Sequence, residues 1–556
     1  MSAKKYDFEP KTLEINDFDT VFRGFENAVE QYEESPAADL DLDAPAVSFV
    51  EKVKKIAYWG SILRRDGRAG KGNDLALSRV SALILDVAQV NEHPEWLAVN
   101  QSTGEPHRVN VERIGRCYTA YSEAVGIDLV THGDGSRRVD FTGKRVCENK
   151  RACAHCARVE GEKSNRKAKK AIGYAEKQGY RVAMATFTAP HNEKTDDRVF
   201  VRAMGLSFRA VLKHKKYRKF VQQYGISDLE VIQAIPYIKG FEAMLGGKYG
   251  THYHYHVVFI YQTAGQIPAA VDSEFEDLLR DLWAKYAVKF GLVADESADP
   301  RGFADFMQHG LKFDPAYRRG ADKLADYATK LASWTESVCS WSLSEELTGI
   351  YRKHSKGAGY TYFELCGKIA LYDVVRYLKA RGKAKAAAEA TLRHDIEICA
   401  RYIAAAWRRR AVDFSNGLQS WVDAMPDAGD EVAEKETLGG FEAWQWQYIL
   451  DLGLVSHVKK AIVAGGGEAV VRLSEWFAAR GMGQLRNALQ IAELRDAEAR
   501  KRELKWVIKH GESANALREF LAARAEKEKA RESAPFKQLE LFQDVQPAQR
   551  RGAAGG

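Results

Sequence analysis

No run in this 556-residue sequence approaches the eighteen or more apolar residues that a membrane span needs. The opening stretch, Met1 to Lys11, is polar and charged and has no signal-peptide core. Cysteine is scarce: there are seven, an odd number without an even ladder, which points to a reducing compartment rather than a disulfide framework. These absences predict a soluble, cytoplasmic protein with no membrane partner. A Gly-x-x-x-x-Gly-Lys-[Ser/Thr] phosphate loop is missing, so any helicase must come from elsewhere. No internal repeat is visible. Hydrophobic and charged residues make up 45% and 29% of the chain, near globular averages, which excludes a mainly disordered or fibrous state.

Within those limits, charge distribution says more than charge total. The formal net charge is only +7, but Lys and Arg gather in short runs. These are Arg166-Lys167-Ala168-Lys169-Lys170, Lys213-His214-Lys215-Lys216-Tyr217-Arg218-Lys219 and Arg408-Arg409-Arg410. Such runs suit a phosphate backbone, or equally a solvated helix face. Helical periodicity marks Leu75 to Val90, and a basic, Ala-rich helix is expected from about Arg158 to Gln178. Alternation from Tyr180 to Thr188, ended by Pro190, reads as a strand. A helix is expected over roughly 196–222. Two strands follow, near Tyr237–Met244 and His252–Tyr261, and the glycines between them predict an antiparallel hairpin. Helices are expected around 271–290 and 320–334, and mostly helix from about 340 to 530.

The sharpest feature is His252-Tyr253-His254-Tyr255-His256, three of only fourteen histidines. Residues two apart on a strand share a face, so the three imidazoles project together. The neighbouring hairpin strand offers Glu242, which would complete a His/carboxylate site for Mg²⁺ or Mn²⁺ with positions left for substrate. Some seventy residues later Tyr327 and Lys330 fall three apart in a predicted helix, on one face. A phenol beside a bound metal can attack phosphorus, and a nearby lysine can hold the phosphate or lower the phenol's pKa.

The order of three motifs resembles the rolling-circle plasmid Rep proteins of the HUH endonuclease superfamily. The motifs are Ala185-Thr186-Phe187-Thr188-Ala189-Pro190, the His-x-His-x-His strand, and Tyr-x-x-Lys on a helix. The likeness extends upstream to Arg145–Cys156. Downstream it takes in Gly359–Leu365 and the stretch from Trp407 to Leu418, so it covers about residues 115–420. It implies an α+β fold: a central antiparallel sheet flanked by helices, preceded by a Cys-rich zinc module and followed by a mostly helical carboxy-terminal region. It also implies a reaction. Tyr327 would attack origin DNA, with the phosphate polarised at His254, His256 and Glu242, giving a 5′-phosphotyrosine and a free 3′-OH primer. His252 would be an alternative or outer ligand. Many relatives carry a glutamate four residues before the tyrosine, where this chain has Lys323; Asp322 and Asp326 sit at other offsets, and Tyr317 is a second tyrosine in the segment.

Cys117, Cys147, Cys153 and Cys156, spaced C-x29-C-x5-C-x2-C, resemble a structural zinc knuckle. The family resemblance favours Cys117 as fourth ligand, with His155 a poorer alternative. Near the end, Gln538-Leu539-Glu540-Leu541-Phe542 resembles the peptide by which bacterial replication proteins dock on the sliding clamp. The chain accordingly divides into 1–110, of unknown role; a zinc-binding module, 111–165; the endonuclease domain, 166–340; a Rep-family helical extension, 341–425; a helical region, 426–532; and a flexible tail, 533–556. Expected partners are single-stranded and duplex origin DNA, the host sliding clamp and replisome, and a host helicase. The competing expectations are an HUH relaxase or transposase, and a non-catalytic zinc and DNA-binding regulator.

Overall fold

The computed structural model describes residues 22–29 in part, 48–65, 74–315 apart from 101, 193, 227–233 and 248–249, 359–415 apart from 408, then 418 and 432–510. Tyr317, Lys323, Tyr327, Lys330, Cys339 and the Gln538–Phe542 motif lie outside the described residues. The helices are α1 (Phe49–Arg65), α2 (Asp74–Val87), α3 (Val111–Gly115), α4 (Ala154–Lys177), α5 (Asp197–Lys213), α6 (Lys215–Tyr224), α7 (Pro268–Lys289) and α8 (Pro300–His309). After these come α9 (Tyr362–Lys368), α10 (Val374–Lys379), α11 (Gly382–Ala406), α12 (Ala443–Asp451), α13 (Val455–Ala479) and α14 (Ala488–His510). The strands are β1 (Ala124–His132), β2 (Arg137–Thr142), β3 (Arg181–Thr188), β4 (Tyr237–Gly247), β5 (Gly250–Tyr261), β6 (Leu311–Pro315), β7 (Val412–Phe414) and β8 (Val432–Glu442). The chain divides after Ala488 into two units, and the described residues of the second are those of α14 from Leu489 to His510.

Among the described residues the first unit is α+β with two antiparallel sheets. One has five strands in the order β6-β3-β5-β4-β7 and the other three in the order β2-β1-β8. Alternation decides what each face of the larger sheet meets. Phe187, Tyr255, Phe259 and Phe241 point to one face, where Phe208 of α5 and Trp283 and Phe275 of α7 meet them. Phe187 lies edge-on to Phe208 and Trp283 at centroid distances of 5.5 and 5.1 Å, and Phe259 to Phe275 at 5.2 Å. Edge-on aromatic packing of this kind adds about 0.5–1.5 kcal/mol per pair beyond area burial. On the other face, Val182, Met184, Ile238, Val258 and Ile260 form a core with Ala168, Ala171, Ile172 and Ala175 of α4. Alanines at i, i+3 and i+7, with Ile172 at i+4, make one apolar face of that helix against the strands.

The carboxy-terminal block expected to be mostly helical contains two strands among the described residues, β7 and β8. β8 returns to pair with β1, and their apolar faces pack with α12 and α13 around the buried Trp446, whose indole N–H donates to the carbonyl of Tyr118 at 2.7 Å. α13 is also not one straight helix: Gly466 sits at φ 55°, ψ −128° and breaks it. A Cβ there would meet the Arg137 guanidinium at 2.9 Å. Gly466→Ala should therefore destabilise the fold by about 1–3 kcal/mol, read as a lower midpoint in denaturant, whereas an unchanged midpoint would show that the kink relaxes freely. No helix among the described residues is long and apolar enough to cross a membrane.

Two candidate metal centres

The first centre is built by the β4–β5 hairpin. In its register Glu242 lies directly opposite His254, and Gly240 opposite His256. One oxygen of Glu242, Oε2, stands 2.5 Å from His254 Nε2 and 2.8 Å from His256 Nε2. All three residues are buried, and their potential ligand atoms lie within 4.8 Å of one another. Burial would raise the Glu242 pKa. Hydrogen bonds and charge from the two imidazoles outweigh it and hold the carboxyl well below its usual range, so the group presents an anion. Glycine at position 240, opposite His256, brings no side chain to that pairing.

The surrounding atoms fit a bound cation. Thr186 of β3 contacts His256 Nδ1 through its hydroxyl at 3.0 Å, a partner that fixes the ring and leaves Nε2 toward Glu242. Across from His254, Thr188 Oγ1 and His254 Nδ1 are both buried without a hydrogen-bond partner among the described residues. Two imidazole nitrogens and one carboxylate oxygen supply three ligands, too few to close a coordination sphere. His252 shares the face, with its ring centroid 5.2 Å from that of His254, but it falls outside the three-residue group. It packs instead with His191, at 4.7 Å. Burial, followed by the neighbouring His254 and His191, lowers the His252 pKa to about 4. His191 was not expected here. It follows Pro190 at the end of β3, where no spacing rule marks it.

The second centre gathers Cys117, Cys147, Cys153 and Cys156, all buried, with sulfurs within 4.8 Å of one another. Cys117 follows α3, Cys147 sits in the loop after β2, and Cys153 and Cys156 open α4. Cys153 is the N-cap of that helix and its sulfur accepts from the amide of Cys156 at 3.5 Å. The helix N-terminus favours a thiolate there. Sulfur–sulfur distances of 3.7 Å (Cys117–Cys156) and 3.5 Å (Cys147–Cys156) are too long for disulfides. Hydrogen bonds from the other three draw the Cys117 thiol far below its ordinary range; Cys147 is pushed up chiefly by Cys117, against an opposing contact from Cys153, and Cys153 is pushed up by the other three. Four sulfurs crowded in this way make a donor set that suits a tetrahedral cation such as Zn²⁺. The residues after Cys117 and Cys147, Tyr118 and Glu148, have φ values of 75° and 56°, and the amide of Asn149 is directed at Cys147 Sγ at 3.4 Å. His155 is outside the cluster, edge-on to Tyr118 at 4.4 Å, and burial lowers its pKa to about 3. Cys366 and Cys399 are buried in α9 and α11.

Of the sequence-expected site residues, the structure thus brings together Glu242 with His254 and His256, and the four cysteines with one another. Arg151, between Cys147 and Cys153, was missed. Its guanidinium is buried and donates to the carbonyls of Arg410 at 2.7 Å, Arg409 at 3.4 Å and Phe241 at 3.4 Å, and to the hydroxyl of Tyr402 at 3.2 Å. Its carbonyl acceptors lie on β4 and after α11, far along the chain, so nothing in the sequence of that loop marks it. No family model matches the sequence, and no curated protein or solved structure matches it either.

Proposed function

We propose that the chain is an HUH-type endonuclease and a rolling-circle replication initiator. The observation that carries this reading is the buried Glu242–His254–His256 group on adjacent strands of an antiparallel sheet. Mg²⁺ or Mn²⁺ held there would act as a Lewis acid on a scissile phosphate. Glu242 and the two imidazoles would fix where that phosphate lies, and Thr186 would keep the His256 ring turned toward it. Tyr327 would attack phosphorus, forming the phosphotyrosine bond as the P–O3′ bond breaks, and the departing oxygen would leave as a 3′-OH. Lys330 would hold the phosphate beside it. Zn²⁺ in the four-cysteine centre would serve folding. Gln538, Leu539, Leu541 and Phe542 would bring the sliding clamp to the new primer end.

The test is a covalent protein–DNA adduct that survives denaturing electrophoresis, formed on single-stranded origin DNA with Mn²⁺. Wild type should form it, and Tyr327→Phe and His254→Ala should both fail. An adduct that persists in Tyr327→Phe but is lost in His254→Ala moves the nucleophile to another tyrosine. If wild type forms none on any strand of its own replicon, a non-catalytic DNA-binding regulator becomes the better account.

A further inference from the structure

The sheet face opposite the Glu242 group carries a cluster of cations that the metal chemistry does not use. Arg409, just before β7, reaches over Gly205 of α5, where an added Cβ would lie 3.1 Å from Nη1. Its guanidinium is partly buried and, among the described residues, makes no hydrogen bond or ion pair. Burial depresses its pKa most, the neighbouring Tyr255 offsets part of that, and Arg151, Arg209 and Arg202 depress it further, so most of the charges around it are like charges. Lys239 lies beside them, over the rings of Phe208 and Tyr255 at 5.1 and 5.3 Å. The carboxylate at hand, Asp413, is already taken by Lys239 at 3.3 Å and Arg410 at 3.2 Å.

An unpaired guanidinium withdrawn from water among other arginines is unfavourable unless an anion completes it. The planar fork of arginine matches phosphate oxygens in pairs. Exposed cations continue from Arg202 and Arg209 to Lys213, Lys215, Lys216, Arg218 and Lys219 along α5 and α6. A free phosphate would need only the pocket, whereas a row of this kind suits a polymer with regularly spaced phosphates. Arg151 holds the carbonyls of Arg409 and Arg410 from below, and it belongs to the loop between Cys147 and Cys153.

We propose that Arg409, flanked by Arg202 and Arg209, is a phosphate pocket that grips the backbone of duplex DNA on the face away from the metal group, and that the cysteine centre holds the pocket in place through Arg151. The inference rests on the reading of the chain as a DNA-acting protein, but not on its nuclease step.

Anisotropy of a labelled DNA duplex, measured on the full chain without added divalent ion across a range of KCl, tests it. Arg409→Ala should weaken binding about tenfold to a hundredfold and reduce the slope of log affinity against log salt by about one. Gly205→Val keeps the arginine but displaces it, and should give the same change. Arg409→Lys should recover part of the affinity. Thermal melting of each variant identifies a misfolded one, and Gly205→Val then decides alone. Unchanged affinity and slope in both Arg409→Ala and Gly205→Val overturn the pocket. If inorganic phosphate binds wild type and not Arg409→Ala while duplex affinity stays the same, the ligand is free phosphate and the DNA assignment falls. A wild type that forms no adduct, yet shows the Arg409 effect, loses the nuclease reading and keeps the pocket.

Discussion

Cys153→Ser should release one tightly held metal ion per chain and collapse the segment from α3 through the first turns of α4. A structural zinc is worth about 10–16 kcal/mol of apparent binding free energy, which in small modules is folding free energy. The substitution strikes twice, because Cys153 is both a member of the four-cysteine group and the N-cap of α4. Its sulfur also contacts the Ser78 hydroxyl of α2 at 3.3 Å, so the loss would spread to the amino-terminal helices. Metal content by elemental analysis, together with the melting midpoint, measures the effect. Cys366→Ser is the control, since that thiol is fully buried but lies in α9, away from the cluster. If Cys153→Ser kept its metal and melted no lower than the control, the four would be ordinary reduced thiols.

Glu242→Gln should lower the affinity of the histidine centre for Mn²⁺ by about a hundredfold or more, with little change in fold. Changes to groups that merely orient a ligand already cost 10–100-fold in metal affinity, so about that much is a lower bound for a charged ligand. The amide keeps the shape of the carboxylate, but it removes the negative charge and turns one oxygen into a donor facing two imidazoles. Calorimetric titration of the full chain with Mn²⁺ reads the change, and under the proposed nuclease function adduct formation should fall with it. Equal Mn²⁺ affinity in the variant would place the ion elsewhere.

What could be read in advance, and what could not, divides by how local the cause is. The three histidines were legible because a period of two fixes a strand face whatever the rest of the chain does. Glu242 followed because a glycine-bearing gap makes hairpin neighbours of β4 and β5, and a hairpin carries its own register. The cysteines announced themselves by spacing. β8 was hidden for the opposite reason. Ala433, Glu434, Lys435 and Glu436 favour helix over strand, and the partner that overrides that preference, β1, lies some 300 residues earlier. Arg151 and Arg409 look like any surface arginines until the fold buries one and brings the other over Gly205. His252 belonged to the right face but stands one pair too far from Glu242, since its cross-strand neighbour is Met244.

The pairing of β1 with β8 also governs the order in which the chain can be made. Emerging from the ribosome, β3 to β6 can assemble once residue 315 is out, since every pair among them is available by then. β1 must wait until residues 432–442 have been synthesised. At the usual pace of about 5–20 residues per second, the delay is several seconds or more, and throughout it the nascent chain shows one open edge of a strand rich in Val, Ile and Leu. Such an edge invites pairing with a neighbouring nascent chain. Chains terminated before residue 432 should consequently collect in inclusion bodies, even though they contain the whole histidine centre.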